Sequence, residues 1–340
     1  MNVKVVHVIN ALEIGGVEVG ALSLLNTKPS DYRVLTVKRG DENLFNSLPV
    51  HIKENIIVCN SYFQALYTLY KIRPKTIVSS LWRSHLITLI YRIFFSIRHI
   101  HFVHSTSFGH FFNKNATKLS LKLCHKIFCD SDKSRLWVEQ FYNSKNTHVI
   151  PMNVSFSKSE IKKYTKELSF VYMGRFSKDK NLIKSLVFIK AIKDQGLSVK
   201  FDLFGRDDGD LEQLISFIKN NNLQDIVTIN SPISPFEVES RMREYNFYLQ
   251  TSNFEGMAIS VFQAVRNGLI ACVTPVGEIK NYTSHMINSF HLDAENVCNS
   301  ASEFISLYND DEFECLSLGM IIDSEKYPIF SDVFFEKIKS

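Results

Sequence analysis

The chain has 340 residues, 45% hydrophobic and 22% charged, a soluble globular composition with length enough for two domains. No apolar run reaches membrane-spanning length, since the best, Leu86 to Ile97, is short and broken by Arg92. Met1-Asn2-Val3-Lys4 leads straight into a strand rather than a secretory leader. The six cysteines show no paired metal spacing, so a reduced chain is expected, with Cys124 and Cys129 as buried thiols rather than a metal fragment around His125. The net charge of +4 is unevenly spread: residues 1–150 carry 19 Lys and Arg against 9 Asp and Glu. Between Glu54 and Asp130 there is no acidic residue, while basic residues of 71–126 (Lys71 to Lys126) are interleaved with aromatics such as Trp82, Tyr91, Phe111 and Phe112. Basic plus aromatic points to an anionic membrane surface, the plainer alternative being a solvated positive face; no nucleic-acid motif is present.

Val3 to Ile9 is a β-branched run typical of a buried parallel strand. It ends in a loop containing Gly15-Gly16-Val17-Glu18, whose glycine pair lets a ligand approach the backbone or simply makes a tight turn. The dinucleotide fingerprint is absent, because the third glycine is missing. Strands are then predicted at Tyr32–Lys38, Ile56–Val58, Thr76–Ser80, Ile100–His104 and Lys126–Asp130. Helices are predicted at Asn43–Ser47, Tyr62–Ile72, Ser84–Phe95, Leu119–His125 and from Ser131 or Asp132 to Phe141. His148-Val149-Ile150-Pro151 closes the first half, and strands alternating with helices mean a doubly wound parallel sheet.

The polar, lysine-rich segment 153–168 reads as a linker, after which the alternation restarts. Strands are expected at Ser169–Arg175, Val199–Phe204, Ile226–Ile229, Phe247–Gln250 and Leu269–Thr274. Helices are expected at Asn181–Lys193, Leu211–Asn221 and Phe236–Tyr245, then along the acidic tail after Asp293 and from about Ser331. The organisation is therefore a domain at 1–155, a second at 156–325, and a last helical segment at 326–340.

Two stretches carry chemistry. Thr251 to Ala264 passes from a strand through a glycine turn into a helix, which sets backbone N–H groups where an anion can be held. Glu255 lies just before the turn, and Gln263, eight residues on, can return to the same side after about two helical turns. Such a pair suits a sugar nucleotide, though an ordinary strand–turn–helix with a surface glutamate explains the segment equally well. The second stretch, Gly174 to Leu182, places Arg175 and Lys180 between a strand and a helix, where together they could clamp a diphosphate; either cation alone reads as a surface ion pair. Asp207-Asp208-Gly209-Asp210 reads as helix capping rather than as a metal-binding Asp-x-Asp.

These segments, taken in order and spacing, resemble the large group-1 family of sugar-nucleotide-dependent glycosyltransferases, retaining enzymes of the GT-B fold. The resemblance runs almost end to end. Gly15-Gly16-Val17-Glu18 is similar to the family's Gly-Gly-x-Glu loop, and Gly174-Arg175 with Lys180-Asn181-Leu182 to its Gly-Arg…Lys-Gly/Asn-Leu element. Phe204-Gly205 resembles its post-strand glycine, Phe254-Glu255-Gly256-Met257 the start of its Glu-x7-Glu motif, and Thr274 to Glu278 its late glycine turn. Phe330-Ser331 resembles the start of the family's final helix, which crosses back to the first domain.

The resemblance implies an α/β fold of two Rossmann-like domains facing a central cleft, the first on the acceptor side and the second binding the donor. It implies that Arg175 and Lys180 bind the donor's phosphates, that Glu255 contacts the transferred sugar beside the amides of Gly256, Met257 and Ala258, and that Gly16, Gly174 and Gly205 lie close to the donor. Position 263 would hold the ribose hydroxyls, and His104 would face the reacting sugar, although His99, His101 and His110 crowd that assignment. No metal or other cofactor is implied.

Two departures stand out. The second motif glutamate is Gln263, a weaker ribose partner than a carboxylate, which predicts that Gln263→Glu leaves activity intact or tightens donor binding. The family's Pro-Asn-Gly turn is Pro151-Met152-Asn153-Val154. The expected activity is transfer of a sugar to a lipid-linked glycan of a bacterial surface polysaccharide such as an O-antigen or capsule, by a cytoplasmic protein held on the inner face of the membrane. The alternatives are a GT-B scaffold that has lost turnover, and a GT-B epimerase or phosphorylase.

Overall fold

The computed structural model describes residues 4–27, 30–106, 108, 111–142, 146–156, 164–309, 313, 316 and 326–340. The chain forms two compact units: Met1–Phe156 with Ile329–Ser340 (unit 1), and Ser157–Pro328 (unit 2).

Unit 1 is built on β1 (Val5–Ile9), β2 (Tyr32–Thr36), β3 (Ile56–Val58), β4 (Thr76–Ser80), β5 (Arg98–Val103), β6 (Lys126–Cys129) and β7 (Thr147–Val149), in the order β3-β2-β1-β4-β5-β6-β7. Every pairing is parallel. β1, β2 and β4 are buried along their whole length, as a sheet covered on both faces requires. The crossovers are α1 (Gly16–Thr27), α2 (Glu42–Ser47), α3 (Val50–Lys53), α4 (Tyr62–Ile72), α5 (Trp82–Phe94), α6 (Phe111–Leu123) and α7 (Asp132–Tyr142). Asp41 caps α2 by accepting from the Asn43 and Leu44 amides, and Ser61 caps α4 through the Gln64 amide.

Unit 2 repeats the pattern. Its strands are β8 (Leu168–Met173), β9 (Val199–Phe204), β10 (Val227–Asn230), β11 (Phe247–Gln250), β12 (Ile270–Val273) and β13 (Phe290–His291), in the order β10-β9-β8-β11-β12-β13. Its helices are α8 (Leu182–Asp194), α9 (Leu211–Asn220), α10 (Val238–Met242), α11 (Ile259–Arg266), α12 (Ile279–Tyr282) and α13 (Val297–Asn309). Phe170, Phe188, Phe247, Phe290 and Phe304 pack into one aromatic core, Phe170 and Phe247 stacked at 4.7 Å.

The last helix, α14 (Phe330–Lys339), belongs to unit 1. Phe330 and Phe334 are buried against Phe102, and Phe334 also against Phe128. Arg98 donates to the Ile338 carbonyl at 2.6 Å and Lys126 to the Lys337 carbonyl at 3.0 Å, so two cations from β5 and β6 satisfy the negative end of the helix.

Several sequence expectations shift. α6 starts at Phe111 rather than Leu119, the helix expected at Phe236–Tyr245 shortens to Val238–Met242, and α3, α12 and β13 were not anticipated. Cys124 donates to the Leu121 carbonyl and His125 Nδ1 accepts from the His99 amide, so both serve packing. Residues 157–163 of the expected linker, His110 and most of residues 310–325 lie outside the described residues.

Candidate functional site

The centre of unit 2 lies at the carboxyl end of β11, beside the turn that follows β8. β11 ends in Gln250, which is buried, and the chain then runs through Thr251 to Met257 before Ala258 opens α11 in a left-handed conformation (φ 51°). An alanine seldom sits there, so the surrounding contacts must hold it. Tyr282 Oη donates to the Met257 carbonyl at 2.8 Å, and the Glu278 amide donates to the Gly256 carbonyl at 3.1 Å. Gly277, at φ 62°, touches the same loop: a Cβ there would lie 2.1 Å from the Glu255 carbonyl oxygen. Only glycine permits this approach, which explains the Thr274–Glu278 turn in physical terms.

Within this loop Glu255 is buried, and one oxygen collects all its donors. Lys180 Nζ reaches Glu255 Oε1 at 2.5 Å, Ser252 Oγ at 2.6 Å and Gln250 Nε2 at 2.8 Å. Tyr248 Oη stands 2.9 Å from Gln250 Oε1 and so fixes that amide's orientation. The other carboxylate oxygen, Oε2, has no hydrogen bond among the described residues. The arrangement is a carboxylate clamped on one side and open on the other, able to accept a hydroxyl from a ligand.

Lys180 is positioned by the turn between β8 and α8. Three hydrogen bonds join that turn to the β11–α11 loop: Asn253 N to Asp179 O at 2.8 Å, Thr251 Oγ1 to Asn181 O at 2.9 Å, and Asn181 Nδ2 to Asn253 Oδ1 at 3.0 Å. The β8 and β9 ends meet closely, since a Cβ on Gly205 would fall 1.8 Å from the Gly174 carbonyl oxygen. Gly174 and Gly205 thus shape the backbone of the turn, while nothing stands within 4 Å of a Cβ built on Gly256.

Arg175 has a different partner from Lys180. It pairs with Asp208 at 2.7 Å, both side chains well exposed, and lines a recess of about 300 Å³ with Ser177, Lys178, Asp179, Asp208 and Gly209. Asp207 caps the start of α9, its Oδ1 accepting from the Gly209, Asp210 and Leu211 amides, which holds its carboxyl below the usual range.

Gln263 is placed differently from the sequence expectation. α11 begins only at Ile259, so about one helical turn, not two, separates its start from Gln263, and no hydrogen bond joins Gln263 to Glu255. Gln263 is 3% exposed and its Nε2 donates at 3.3 Å to Oε1 of Glu239, a 2% exposed carboxylate on α10. Glu239, Gln250 and Ser252 escaped the sequence reading. A polar residue ending a buried strand, as Gln250 does, was the available signal.

The remaining sequence-predicted residues belong to unit 1. Gly16 is the first residue of α1, after β1. His104 follows β5, and its Nε2 lies 3.0 Å from Ser80 Oγ. Burial depresses its pKa to about 3, so the imidazole is neutral at physiological pH. His99 and His101 point to the opposite face of β5: His99 Nε2 meets Ser79 Oγ at 2.8 Å and His101 Nδ1 meets Ser120 Oγ at 2.7 Å. They are core residues, whereas His104 is partly exposed, and its Nδ1 has no hydrogen bond among the described residues.

Comparison with known proteins agrees with this architecture. The family model of Glycosyl transferases group 1 matches residues 153–315. The GDP-mannose:cellobiosyl-diphosphopolyprenol alpha-mannosyltransferase of Xanthomonas oryzae pv. oryzae (strain PXO99A) is 23% identical over 149 residues, spanning 43% of this chain and 39% of that protein. The structure of Anabaena Alr3699/HepE in complex with UDP and glucose superposes with a TM-score of 0.83 at 13% identity, covering 99% of this chain and all of the other (100%). Sucrose-phosphate synthase from Thermosynechococcus elongatus superposes at 0.72 with 13% identity over 99% and 98% of the two chains. The fold is GT-B: two parallel sheets with alternating helices.

Proposed function

Residues 153–315 belong to the group 1 glycosyl transferases, and from that premise we propose that this chain moves a sugar from a nucleotide-sugar donor to an acceptor hydroxyl with retention at the anomeric carbon. The observation that carries the reading is the Glu255 carboxylate, gripped on Oε1 by Lys180, Ser252 and Gln250 and open on Oε2. Oε2 accepts a hydroxyl of the transferred sugar. Lys180 beside it, with Arg175 and the first amides of α11, meets the charge that develops as the diphosphate departs. The acceptor hydroxyl attacks from the face the diphosphate leaves, and no divalent metal is required.

The acceptor is a lipid-linked glycan of surface-polysaccharide synthesis. The Xanthomonas relative, whose name specifies a diphosphopolyprenol-linked acceptor, supports this. So does the surface of unit 1. On α6, Phe111, Leu119 and Leu123, spaced by eight and four residues, are exposed beside Lys114, Lys118 and Lys122, spaced by four, so the two sets lie in adjacent stripes. Phe63 and Tyr67 on α4, and Ile93 and Phe94 on α5, add exposed apolar surface on helices neighbouring in the order α4, α5, α6. Among the described residues no helix is long and apolar enough to cross a membrane, and the reading places the protein peripherally, on the cytoplasmic face.

The test is release of nucleoside diphosphate across a panel of nucleotide sugars, with and without a polyprenol-diphosphate-linked acceptor and with and without EDTA. Acceptor-dependent, EDTA-insensitive release is expected, with the donor sugar's anomeric configuration retained in the glycosylated product. Absence of both turnover and calorimetric binding across the panel rejects the proposal.

A further inference from the structure

A line of hydrogen bonds crosses four neighbouring strands on one face of the unit 1 sheet. Tyr32 Oη on β2 lies 2.7 Å from His7 Nδ1 on β1, and His7 Nε2 lies 2.8 Å from Ser80 Oγ at the end of β4. Ser80 Oγ lies 3.0 Å from His104 Nε2, just past β5. Strand register produces the line, since β2, β1, β4 and β5 are adjacent and alternate residues face one side. The line is dry: Tyr32, His7 and Ser80 are each at most 1% exposed. Phe334 of α14 covers it, stacked on His7 at 6.0 Å and edge-on to Tyr32 at 6.1 Å, while Phe102 lies 4.1 Å from the His104 ring.

The line has a direction. Among the described residues His7 bonds only to Tyr32 and Ser80, and its pKa is pushed to about 3 by burial and by His104, so it is neutral, with one ring nitrogen donating and the other accepting. Tyr32 Oη has His7 as its sole hydrogen-bond partner among the described residues. If His7 donated to Tyr32, the phenol hydrogen would be buried without an acceptor, an uncompensated desolvation. Tyr32 therefore donates to His7 Nδ1, His7 Nε2–H donates to Ser80, and Ser80 donates to His104 Nε2. The proton of His104 is left on Nδ1, the nitrogen without a partner among the described residues.

We propose that Tyr32, His7 and Ser80 are positioning residues that lock His104 as its Nδ1–H tautomer, so that it offers substrate a neutral hydrogen-bond donor and not a base. The proposal rests on the transferase reading for the identity of the substrate. A fixed donor at the carboxyl edge of this sheet suits an oxygen of the sugar or of its acceptor. No proton is transferred through the line; it sets an orientation that would otherwise cost free energy to select at each turnover.

Full-length protein labelled with [15N]histidine tests this by long-range 1H–15N correlation at pH 7.5, with His104→Asn identifying the signal among the eleven histidines. The wild type is expected to show a pyrrole-type Nδ1 and a pyridine-type Nε2 at His104. Tyr32→Phe removes the residue that sets the direction, and His104 should then populate both tautomers. With an active donor, kcat should fall about tenfold in this variant while nucleotide affinity holds. If Tyr32→Phe does not fold, Ser80→Ala, which deletes the link next to His104, carries the same measurement. An Nε2–H form in the wild type, or an unchanged tautomer in a folded variant, overturns the proposal. A locked Nδ1–H form in a protein that binds no nucleotide sugar upholds the tautomer assignment and sinks the transferase reading alone.

Discussion

Gln263 and Glu239 form a buried amide–carboxylate pair, Nε2 to Oε1 at 3.3 Å, joining α11 to α10. The pair gives Gln263 a partner that the sequence reading did not anticipate. A glutamate at 263 would set a second carboxylate against Glu239. Gln263→Glu should destabilise the protein by about 2 kcal/mol at pH 8, because two buried carboxylates cannot both ionise cheaply. Repulsion raises the pKa of one of them, so the deficit is largest above that raised value and shrinks as the pH falls through it. Denaturant melts of Gln263→Glu at pH 8 and pH 5, with Glu239→Gln as suppressor, check this. A variant as stable as the wild type at pH 8 disproves the clash.

Glu255 leads to the second prediction. Glu255→Gln keeps the shape of the side chain but removes the charge that Lys180 faces at 2.5 Å. Transfer should fall by about 100-fold or more, the scale of losing one electrostatic contact to a reacting group. Lys180→Ala should weaken nucleoside diphosphate binding more than Glu255→Gln does, since the lysine faces the phosphates in the proposed reading. Calorimetry with the diphosphate alone separates the two; equal affinities would contradict the division of roles.

Acid should undermine unit 1 through its buried histidines. His7, His99 and His104 have pKa values depressed to about 3, from 6.5. Above 6.5 neither the folded nor the unfolded form binds these protons. Below it the unfolded chain takes them up and the folded one does not, so stability falls with pH until about 3. Each histidine contributes a slope of about 1.4 kcal/mol per pH unit in that window. Both tryptophans, Trp82 and Trp137, lie in unit 1, so tryptophan fluorescence reports this unit. The denaturant midpoint by fluorescence should drop clearly between pH 7.5 and pH 5.5; a flat profile would mean the histidines are not desolvated.

Membrane attachment is checked on vesicles. The protein should sediment with anionic vesicles and less with zwitterionic ones, and added salt should release it. Phe111→Ser with Phe112→Ser should weaken sedimentation while leaving nucleoside diphosphate binding unchanged. If the double variant binds vesicles like the wild type, α6 is not the contact.

The sequence revealed most of the strands because each is a short run of β-branched or aromatic residues buried on both faces; Thr76–Ser80 and Val199–Phe204 were anticipated to the residue. α6 was cut short because Phe111 to Lys118 is largely exposed and lacks an apolar stripe to betray a helix. The four-residue helices α3 and α12 are too short to show any period. At the site, Lys180 and Glu255 were legible, since each sits at a strand-to-helix turn. The partners that orient them were not. Glu239 and Gln263 are 24 residues apart and meet only through helix packing, and the Tyr32–His7–Ser80–His104 line arises from sheet order, which no local pattern encodes.

That α14 completes unit 1 bears on how the chain is made. Synthesis delivers β1 to β7 first, then the whole of unit 2, and only afterwards Phe330 and Phe334. Until then Phe102, Phe128, His7 and Tyr32 wait on the nascent chain without their cover. This sheet face of unit 1 can therefore gain its aromatic cover only after unit 2 has been made, although β1 to β7 precede unit 2 in the chain.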